Sequence, residues 1–200
     1  MGMPHKYSTA LLERTNEADK GVLTGIGGSY ILIAPMPQAS LLGGISWKGR
    51  MEKTLIILKP DAVDRRLIGE IIARFERKGL QVVGLKLSRI SQATAEKHYE
   101  AHQGKPFYAG LVKFMTSAPV VLLAIQGNRA IDVARKLMGR TFGHQAEPGT
   151  IRGDYGISSQ FNLIHGSDSP ESADRELRLF FSPGEILEYK TCDARWHLDE

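Results

Sequence analysis

The sequence predicts an α+β fold in which helices pack on one antiparallel sheet, and three observations favour it. Residues Thr54–Leu58 form a short, continuous apolar run, as in a strand buried on both faces. From Leu67 to Phe75, apolar residues recur at helical spacing. Residues 81–89 instead alternate apolar and polar side chains, which is typical of a half-buried strand.

The rest of the chain continues this alternation of strands and helices. Gly79 is expected to cap the first helix at its C-terminal end. The later elements are predicted as helices over 92–100 and 108–116, a strand over 119–125, a helix from an Asn128 cap to Met138, a long loop over 139–156, a strand over 157–164 and a helix over 170–181. Two β-α-β units that share one antiparallel sheet make the ferredoxin-like βαββαβ arrangement.

Residues 1–50 have a different character from the rest of the chain. Glycine is frequent there, and the apolar residues follow no sustained period. Glu13, Glu17 and Asp19 argue against a transit peptide. We therefore expect 1–50 to be a poorly ordered or unusual N-terminal extension and 51–200 to be the folded domain. Because Met51 directly precedes the first strand, an over-called start and a genuine flexible arm both stay open.

Composition limits the class of protein. The chain has 200 residues and a formal charge of +4, which fits an anionic small substrate and equally a plain solvated surface. The single cysteine, Cys192, excludes an intrachain disulfide and a cysteine-based zinc cluster and favours a reducing compartment. No apolar run approaches membrane-spanning length, so we expect a cytoplasmic protein with no membrane partner. Nucleic acid is not indicated, because no basic run carries interleaved aromatic residues.

His165 is the first candidate for chemistry. It ends a predicted strand, and the small residues Gly166 to Ser169 follow it before a helix begins. A neutral imidazole can act as a base or a nucleophile, and backbone N–H groups at a helix start favour anions. On this evidence alone, a histidine at a strand end is more often a structural residue.

Glu176 lies beside the apolar stripe of the last predicted helix, which Ala173, Leu177 and Phe180 mark. A buried carboxylate is costly unless it is paired, and Glu176 follows His165 by about three helical turns. It could accept a ring N–H and fix the tautomer of the histidine. The alternative, a glutamate at the stripe edge that reaches solvent, stays open.

Several cations and one aromatic residue lie near predicted element ends or in loops. A polyphosphate site needs converging cations and hydroxyls, although a lone Lys or Arg is usually surface solvation. The candidates are Lys59, Arg135, Thr141 and Arg152. Phe107 follows a proline in a loop, where it could stack on a base or simply belong to the core.

Together these residues resemble the nucleoside diphosphate kinase family. The matching stretches are Lys59–Asp61, 69–72, 74–76, His98-Tyr99, 106–112, 148–154 and 162–169. The likeness runs from Met51 to the C-terminus. Its most specific part is His165-Gly166-Ser167-Asp168 after Asn162, with Thr150–Asp154 before it.

The resemblance implies ping-pong phosphoryl transfer, in which His165 attacks the γ-phosphate of ATP or another nucleoside triphosphate through Nδ1. The phosphohistidine then passes its phosphoryl group to a nucleoside diphosphate, with Mg²⁺ held mainly by the nucleotide phosphates. Glu176 would orient His165, and Ser167 would support Glu176. By position, the resemblance assigns the phosphate contacts to Lys59, Tyr99, Arg135, Thr141 and Arg152. It assigns the contacts with the sugar hydroxyls to Lys59 and Asn162, and those with the base to Phe107 and Leu111.

Two departures from the family pattern carry expectations of their own. Phe142-Gly143-His144 stands where the family has Asn-Pro-Ala, which concerns loop rigidity and subunit contacts. Ser159-Gln160-Phe161 stands where the family has Val-Gly-Arg, and Ser159 replaces an aliphatic residue that faces the base. We therefore expect a weaker or altered base sandwich. The tail to Glu200 resembles hexamer-forming members, so a hexamer is favoured over a tetramer.

Two other functions compete with this hypothesis. The first is a non-catalytic role for a basic family member that binds nucleic acid or a protein partner, and the sequence pI near 9.2 allows it. The second is phosphotransfer to protein histidines, which starts from the same intermediate. The presence of all the residues expected to do the chemistry favours the enzyme.

Overall fold

The computed structural model describes residues 22–25, 28–31 and 51–197. In the first fifty residues it gives one antiparallel hairpin, in which β1 (Val22–Gly25) pairs with β2 (Gly28–Ile31). The extension predicted over 1–50 otherwise falls on residues outside the described ranges and stays a prediction.

A four-stranded antiparallel sheet forms the centre of residues 51–197. Its strands are β3 (Glu52–Leu58), β4 (Gln81–Ser88), β5 (Val120–Gly127) and β6 (Ile164–Gly166). Their spatial order is β4-β5-β3-β6, and all neighbouring pairs are antiparallel. This order is that of the ferredoxin-like arrangement, so the predicted α+β fold is confirmed.

Helices cover both faces of this sheet. Their bounds are α1 (Pro60–Asp64), α2 (Ile68–Arg77), α3 (Gln92–His98), α4 (Tyr108–Ser117), α5 (Ala130–Met138), α6 (Ile151–Tyr155) and α7 (Pro170–Phe180). Helices α1, α2, α5 and α6 pack on the face that carries Ile56 and Leu58. Helices α3, α4 and α7 pack on the face that carries Leu55 and Ile57. The run predicted to be buried on both faces is therefore buried on both faces. Among the described residues, no helix is long and apolar enough to cross a membrane.

The strand predicted over 157–164 is wrong for most of its length. Strand β6 begins only at Ile164, and Ile157 is 86% exposed. The backbone of Leu163 is left-handed, with a φ of 67°, which a strand cannot contain. The Ser158 hydroxyl also accepts hydrogen bonds from the backbone N–H groups of Gln160 and Phe161, which makes a turn there.

The loop predicted over 139–156 contains more regular structure than its sequence suggests. A 3₁₀ turn spans Gly143–Gln145, and α6 follows with the Thr150 hydroxyl accepting from the N–H of Gly153. Both pieces are too short to show a helical period. Gly143 has a clear packing reason, because a Cβ there would lie 1.9 Å from the carbonyl oxygen of Gly156.

Two helix starts also differ from the prediction. Helix α5 begins at Ala130, and its cap position is Arg129 with a φ of 52°, rather than Asn128. Helix α1 was not predicted, and Pro60 occupies its first turn, where the missing N–H costs no hydrogen bond. This short helix places Lys59 at its N-terminal cap.

Candidate active site

His165 occupies the middle of β6, opposite Ile57 of β3. Paired residues of an antiparallel ladder point to the same face, so His165 faces the layer of α3, α4 and α7. Its side chain is 24% exposed, although both neighbours in β6 are buried. The ring is thus held by buried backbone and stays open on one side.

Glu176 of α7 binds the inner nitrogen of this ring. His165 Nε2 lies 3.1 Å from Glu176 Oε2, and the Ser167 hydroxyl donates to the same oxygen at 2.7 Å. Ser167 in turn accepts from the backbone N–H of Leu55 at 3.3 Å. Glu176 is only 5% exposed, so it does not reach solvent from the stripe edge.

The protonation of this pair follows from its electrostatics. Burial by itself would raise the pKa of Glu176, but the hydrogen bond and charge of His165, with the Ser167 hydroxyl, outweigh burial and lower it. An ionised carboxylate can only accept hydrogen bonds. In the neutral ring the proton therefore resides on Nε2, and Nδ1 presents its lone pair.

Lys59 and Asn162 form a second buried pair. Lys59 Nζ donates to Asn162 Oδ1 at 2.6 Å, and the Asn162 amide donates to the carbonyl of Thr141 at 2.9 Å. Burial and, to a smaller extent, the charge of Arg152 lower the pKa of Lys59 to about 8, and the charge of Asp61 opposes both. The negative charge of a bound phosphate would favour the protonated, charged form of this ammonium group.

Arg152 is largely committed to backbone. Its guanidinium donates to the carbonyls of Gly139, Asn162 and Ile164 at 2.8, 3.2 and 2.6 Å. Burial, with the charge of Arg135 nearby, lowers its pKa to about 10. Since a guanidinium has five N–H groups, two remain beyond these three bonds. Arg152, on α6, therefore ties the end of α5 to the segment 162–164 that leads into His165.

The other predicted contacts surround this centre. Arg135 reaches the carbonyl of Gly166 at 3.4 Å. The Tyr99 ring lies edge-on to His165, with centroids 6.4 Å apart, and burial raises the pKa of its phenol. Phe107 precedes α4 and is 54% exposed, with half-buried Leu111 one turn later. Phe107 is therefore not a core residue.

His98 is a site residue that sequence reasoning missed. It lies at the end of α3 with its ring centroid 4.7 Å from that of His165, and its side chain is 1% exposed. Burial, and then the charge of His165, lower the pKa of His98 to about 3, so the ring is neutral. His98-Tyr99 is one of the stretches that match the family, but the sequence analysis gave a role only to Tyr99, and the buried face of the short helix α3 was the available signal.

Asp61 is a second missed residue, and it acts on the backbone. Its carboxylate accepts from the N–H of Leu163 at 3.0 Å, while the Lys59 N–H donates to the carbonyl of Leu163 at 2.8 Å. Left-handed backbone costs a branched residue about 1–3 kcal/mol and persists only where its surroundings impose it. The Lys59-Pro60-Asp61 segment thus fixes the turn that leads from Asn162 to His165.

Comparison with known proteins identifies the family. Residues 52–186 match the family model described as nucleoside diphosphate kinase. The chain belongs to this family. It is 55% identical over 146 residues to the nucleoside diphosphate kinase of Pelotomaculum thermopropionicum, covering 73% of this chain and 98% of that relative. The Pyrococcus furiosus enzyme is 55% identical over 147 residues, covering 72% of this chain and 90% of that relative. The predicted enzyme class, a nucleoside-diphosphate kinase, is confirmed.

Solved structures of the family agree with the fold. A Halobacterium salinarum nucleoside diphosphate kinase in complex with CDP superposes with a TM-score of 0.71 at 46% identity, covering 72% of this chain and 97% of that one. A transition-state mimic of the Borrelia burgdorferi enzyme, with bound vanadate and ADP, superposes with a TM-score of 0.71 at 38% identity. The match covers 74% of this chain and 96% of that one.

Proposed function

We propose that this kinase transfers the γ-phosphate of a nucleoside triphosphate to a nucleoside diphosphate by a ping-pong mechanism through a phosphohistidine on His165. One observation carries the proposal. The Glu176 carboxylate accepts a hydrogen bond from Nε2–H of the ring, so the lone pair of Nδ1 is available as a nucleophile. The vanadate and ADP bound to the Borrelia burgdorferi relative support phosphoryl transfer as the reaction.

In the first half-reaction, Nδ1 forms a bond to the γ-phosphorus, and the bond from that phosphorus to the β–γ bridging oxygen breaks. The nucleoside diphosphate leaves with the electron pair. The ring gains positive charge, which Glu176 stabilises through Nε2–H, as a buried carboxylate does for other catalytic histidines. In the second half-reaction, a terminal oxygen of another nucleoside diphosphate attacks the phosphohistidine and Nδ1 leaves.

The remaining site residues would bind and position the nucleotide. Lys59, a catalytic residue in this proposal, would stabilise charge on the transferred phosphoryl group, and its low pKa fits a group that is fully charged only beside an anion. The other phosphate contacts would be Tyr99, Arg135, Thr141 and the free donors of Arg152. Lys59 and Asn162 would bind the sugar hydroxyls, and Phe107 with Leu111 would bind the base.

Mg²⁺ fits this donor set as a partner of the nucleotide. The proposed phosphate contacts supply cations and neutral groups, whereas Mg²⁺ prefers oxygen ligands and commonly binds through substrate phosphates. The phosphate oxygens would therefore hold the ion, and it would supply charge neutralisation during transfer. Lys59 and Arg135 supply the protein's share of that charge.

Labelling with γ-³²P-ATP tests the proposal. Wild-type enzyme and a His144→Gln control, altered at an exposed histidine, should take up acid-labile label, whereas His165→Gln should take up none. Label that persists on His165→Gln, or an unlabelled wild type, would overturn the proposal.

We further propose that residues 51–200 form the kinase domain, that it assembles as a hexamer and that it works in the cytoplasm. Assembly is supported by the edge strand β4, which exposes the apolar side chains of Leu85 and Leu87. The free, exposed thiol of Cys192 supports a reducing compartment. Light scattering after size-exclusion chromatography should give six times the chain mass. A mass of four chains or of one would contradict the hexamer.

A further inference from the structure

A buried histidine without a hydrogen bond lies next to the proposed nucleophile. Neither Nδ1 nor Nε2 of His98 has a hydrogen-bond partner within residues 51–197. The ring is enclosed by Tyr99, His165 and Phe180, at centroid distances of 4.4, 4.7 and 5.1 Å. Burying a polar group unpaired costs roughly 1–3 kcal/mol, so the position of His98 calls for a partner.

Two polar groups beside His98, those of Glu176 and His165, are metal ligands by chemistry. His98 Nδ1 lies 3.9 Å from Glu176 Oε1, and His165 Nε2 lies 3.1 Å from Glu176 Oε2. One ligand atom from each of these three residues lies within 4.8 Å of the other two. Two ligands of a tetrahedral zinc ion, each at about 2.0–2.1 Å, lie roughly 3.3 Å apart. The two histidine–glutamate separations, 3.9 and 3.1 Å, lie on either side of that spacing.

We propose that His98, His165 and Glu176 form an inhibitory site for a divalent transition metal of the Zn²⁺ class. Two imidazoles and one carboxylate are the ligand set of many zinc sites that keep an open coordination position. His98 is already neutral, so its lone pair is available without loss of a proton.

The site selects against Mg²⁺. Imidazole suits zinc and copper, whereas Mg²⁺ demands oxygen ligands in octahedral geometry. The nucleotide-bound Mg²⁺ of the proposed reaction therefore would not occupy this site. A zinc-class ion and the working cofactor act at different places.

Metal binding would inactivate His165 as a nucleophile, because its ring proton would move from Nε2 to Nδ1. Coordination through His165 Nε2 requires the lone pair of that nitrogen, so the Nε2 proton, which is hydrogen-bonded to Glu176, moves to Nδ1 through solvent. The ring stays neutral and no net proton is released. Nδ1 then carries hydrogen in place of its lone pair and cannot attack phosphorus. This consequence rests on the proposed role of His165, whereas binding itself does not.

Competition with a chromophoric zinc chelator tests the site on the full chain without nucleotide. Wild type and His144→Gln should bind one Zn²⁺ per chain with equal affinity. His98→Phe, which replaces the ring by an apolar one of similar size, should weaken binding about tenfold or more. Equal affinity in His98→Phe and wild type would overturn the proposal.

X-ray absorption of the wild-type zinc complex tests the site without a substitution, so its result does not depend on whether His98→Phe folds. It should report two imidazole nitrogens and a carboxylate oxygen near the ion, and a shell without imidazole would overturn the proposal. In the labelling assay, Zn²⁺ should block phosphorylation and a chelator should restore it. Failure of metal-free wild type to label would instead contradict the proposed function and leave zinc binding intact.

Discussion

The chemical end and the base end of the site differ in how firmly their side chains are held. At the chemical end, Glu176, Ser167, Lys59 and Asn162 are buried. Ser167 and His165 bind Glu176 at 2.7 and 3.1 Å, and Lys59 separately binds Asn162 at 2.6 Å. Phe107 and the segment 159–161, which we propose form the base end, are exposed.

The two ends therefore have different tolerances for change. A buried polar network loses hydrogen bonds that water cannot replace when one member is altered, whereas an exposed stacking surface loses only contact area. The departure at 159–161 falls at the base end, and Phe142 and His144 lie on an exposed loop. Substitutions at the chemical end should change turnover, and substitutions at the base end should change discrimination among nucleotides.

The largest effect is expected for Glu176→Gln. The amide keeps the size of the side chain but cannot stabilise positive charge on the ring, so kcat should fall by about 10²–10⁴. Steady-state kinetics with ATP and a nucleoside diphosphate measure this. Glu171→Gln, at the exposed start of α7, is the matched control and should retain wild-type turnover. Equal kcat in both variants would mean that the buried network does not act on His165.

The next effect is the pH dependence of Lys59. Because burial lowers its pKa to about 8, the free enzyme loses this charge as the pH rises above 8 and keeps it below. The value of kcat/KM, which reports the free enzyme, should fall above pH 8, with a slope that approaches about tenfold per pH unit. In Lys59→Arg the descending limb should disappear, because a guanidinium stays charged. A descending limb retained in Lys59→Arg would assign it to another group.

A smaller effect at the chemical end is expected for Ser167→Ala. Glu176 loses a 2.7 Å donor and the Leu55 N–H loses its acceptor, while the contact between His165 and Glu176 remains. We expect kcat to fall about tenfold, corresponding to one hydrogen bond to a charged group at about 1.5 kcal/mol. Ser172→Ala on α7 removes a hydroxyl outside this network and serves as the control. If Ser167→Ala lowered kcat as much as Glu176→Gln, the expected difference between these two substitutions would be wrong.

The smallest effect is expected at the base end. Ser159→Val restores an aliphatic side chain where the family has one, and it should lower KM by about two- to fivefold with kcat unchanged, because it adds apolar contact to the base. Measuring KM for adenine, guanine, cytosine and uracil nucleotides tests this. No change of KM for any base would show that residue 159 does not contact the base.

The sequence predicted those parts of the molecule that repeat a pattern. Strand β3 contains a continuous apolar run, and helices α2 and α7 have helical periods long enough to recognise. Helices α1 and α6 are five residues each, shorter than two turns, so no period could reveal them. The strand predicted over 157–164 failed because Leu163 adopts left-handed backbone, which Asp61 imposes from a distant segment.

The candidate site divides in the same way. Spacing alone left Glu176 undecided between a buried partner of His165 and a surface glutamate, and only the packing of α7 on β3 decides it. Arg152 was expected among the phosphates, but most of its donors bind carbonyls that the chain brings together by folding. His98 escaped notice because its environment comes from three separate elements: α3, β6 and α7.

The central claim is that Glu176 holds Nε2 of His165 so that Nδ1 takes the phosphoryl group. Nuclear magnetic resonance of the ¹⁵N-histidine-labelled phosphoenzyme identifies the phosphorylated nitrogen directly. We expect a single phosphohistidine, at residue 165, with phosphorus coupled to Nδ1 and hydrogen on Nε2. Phosphorus on Nε2, or on another histidine, would contradict it.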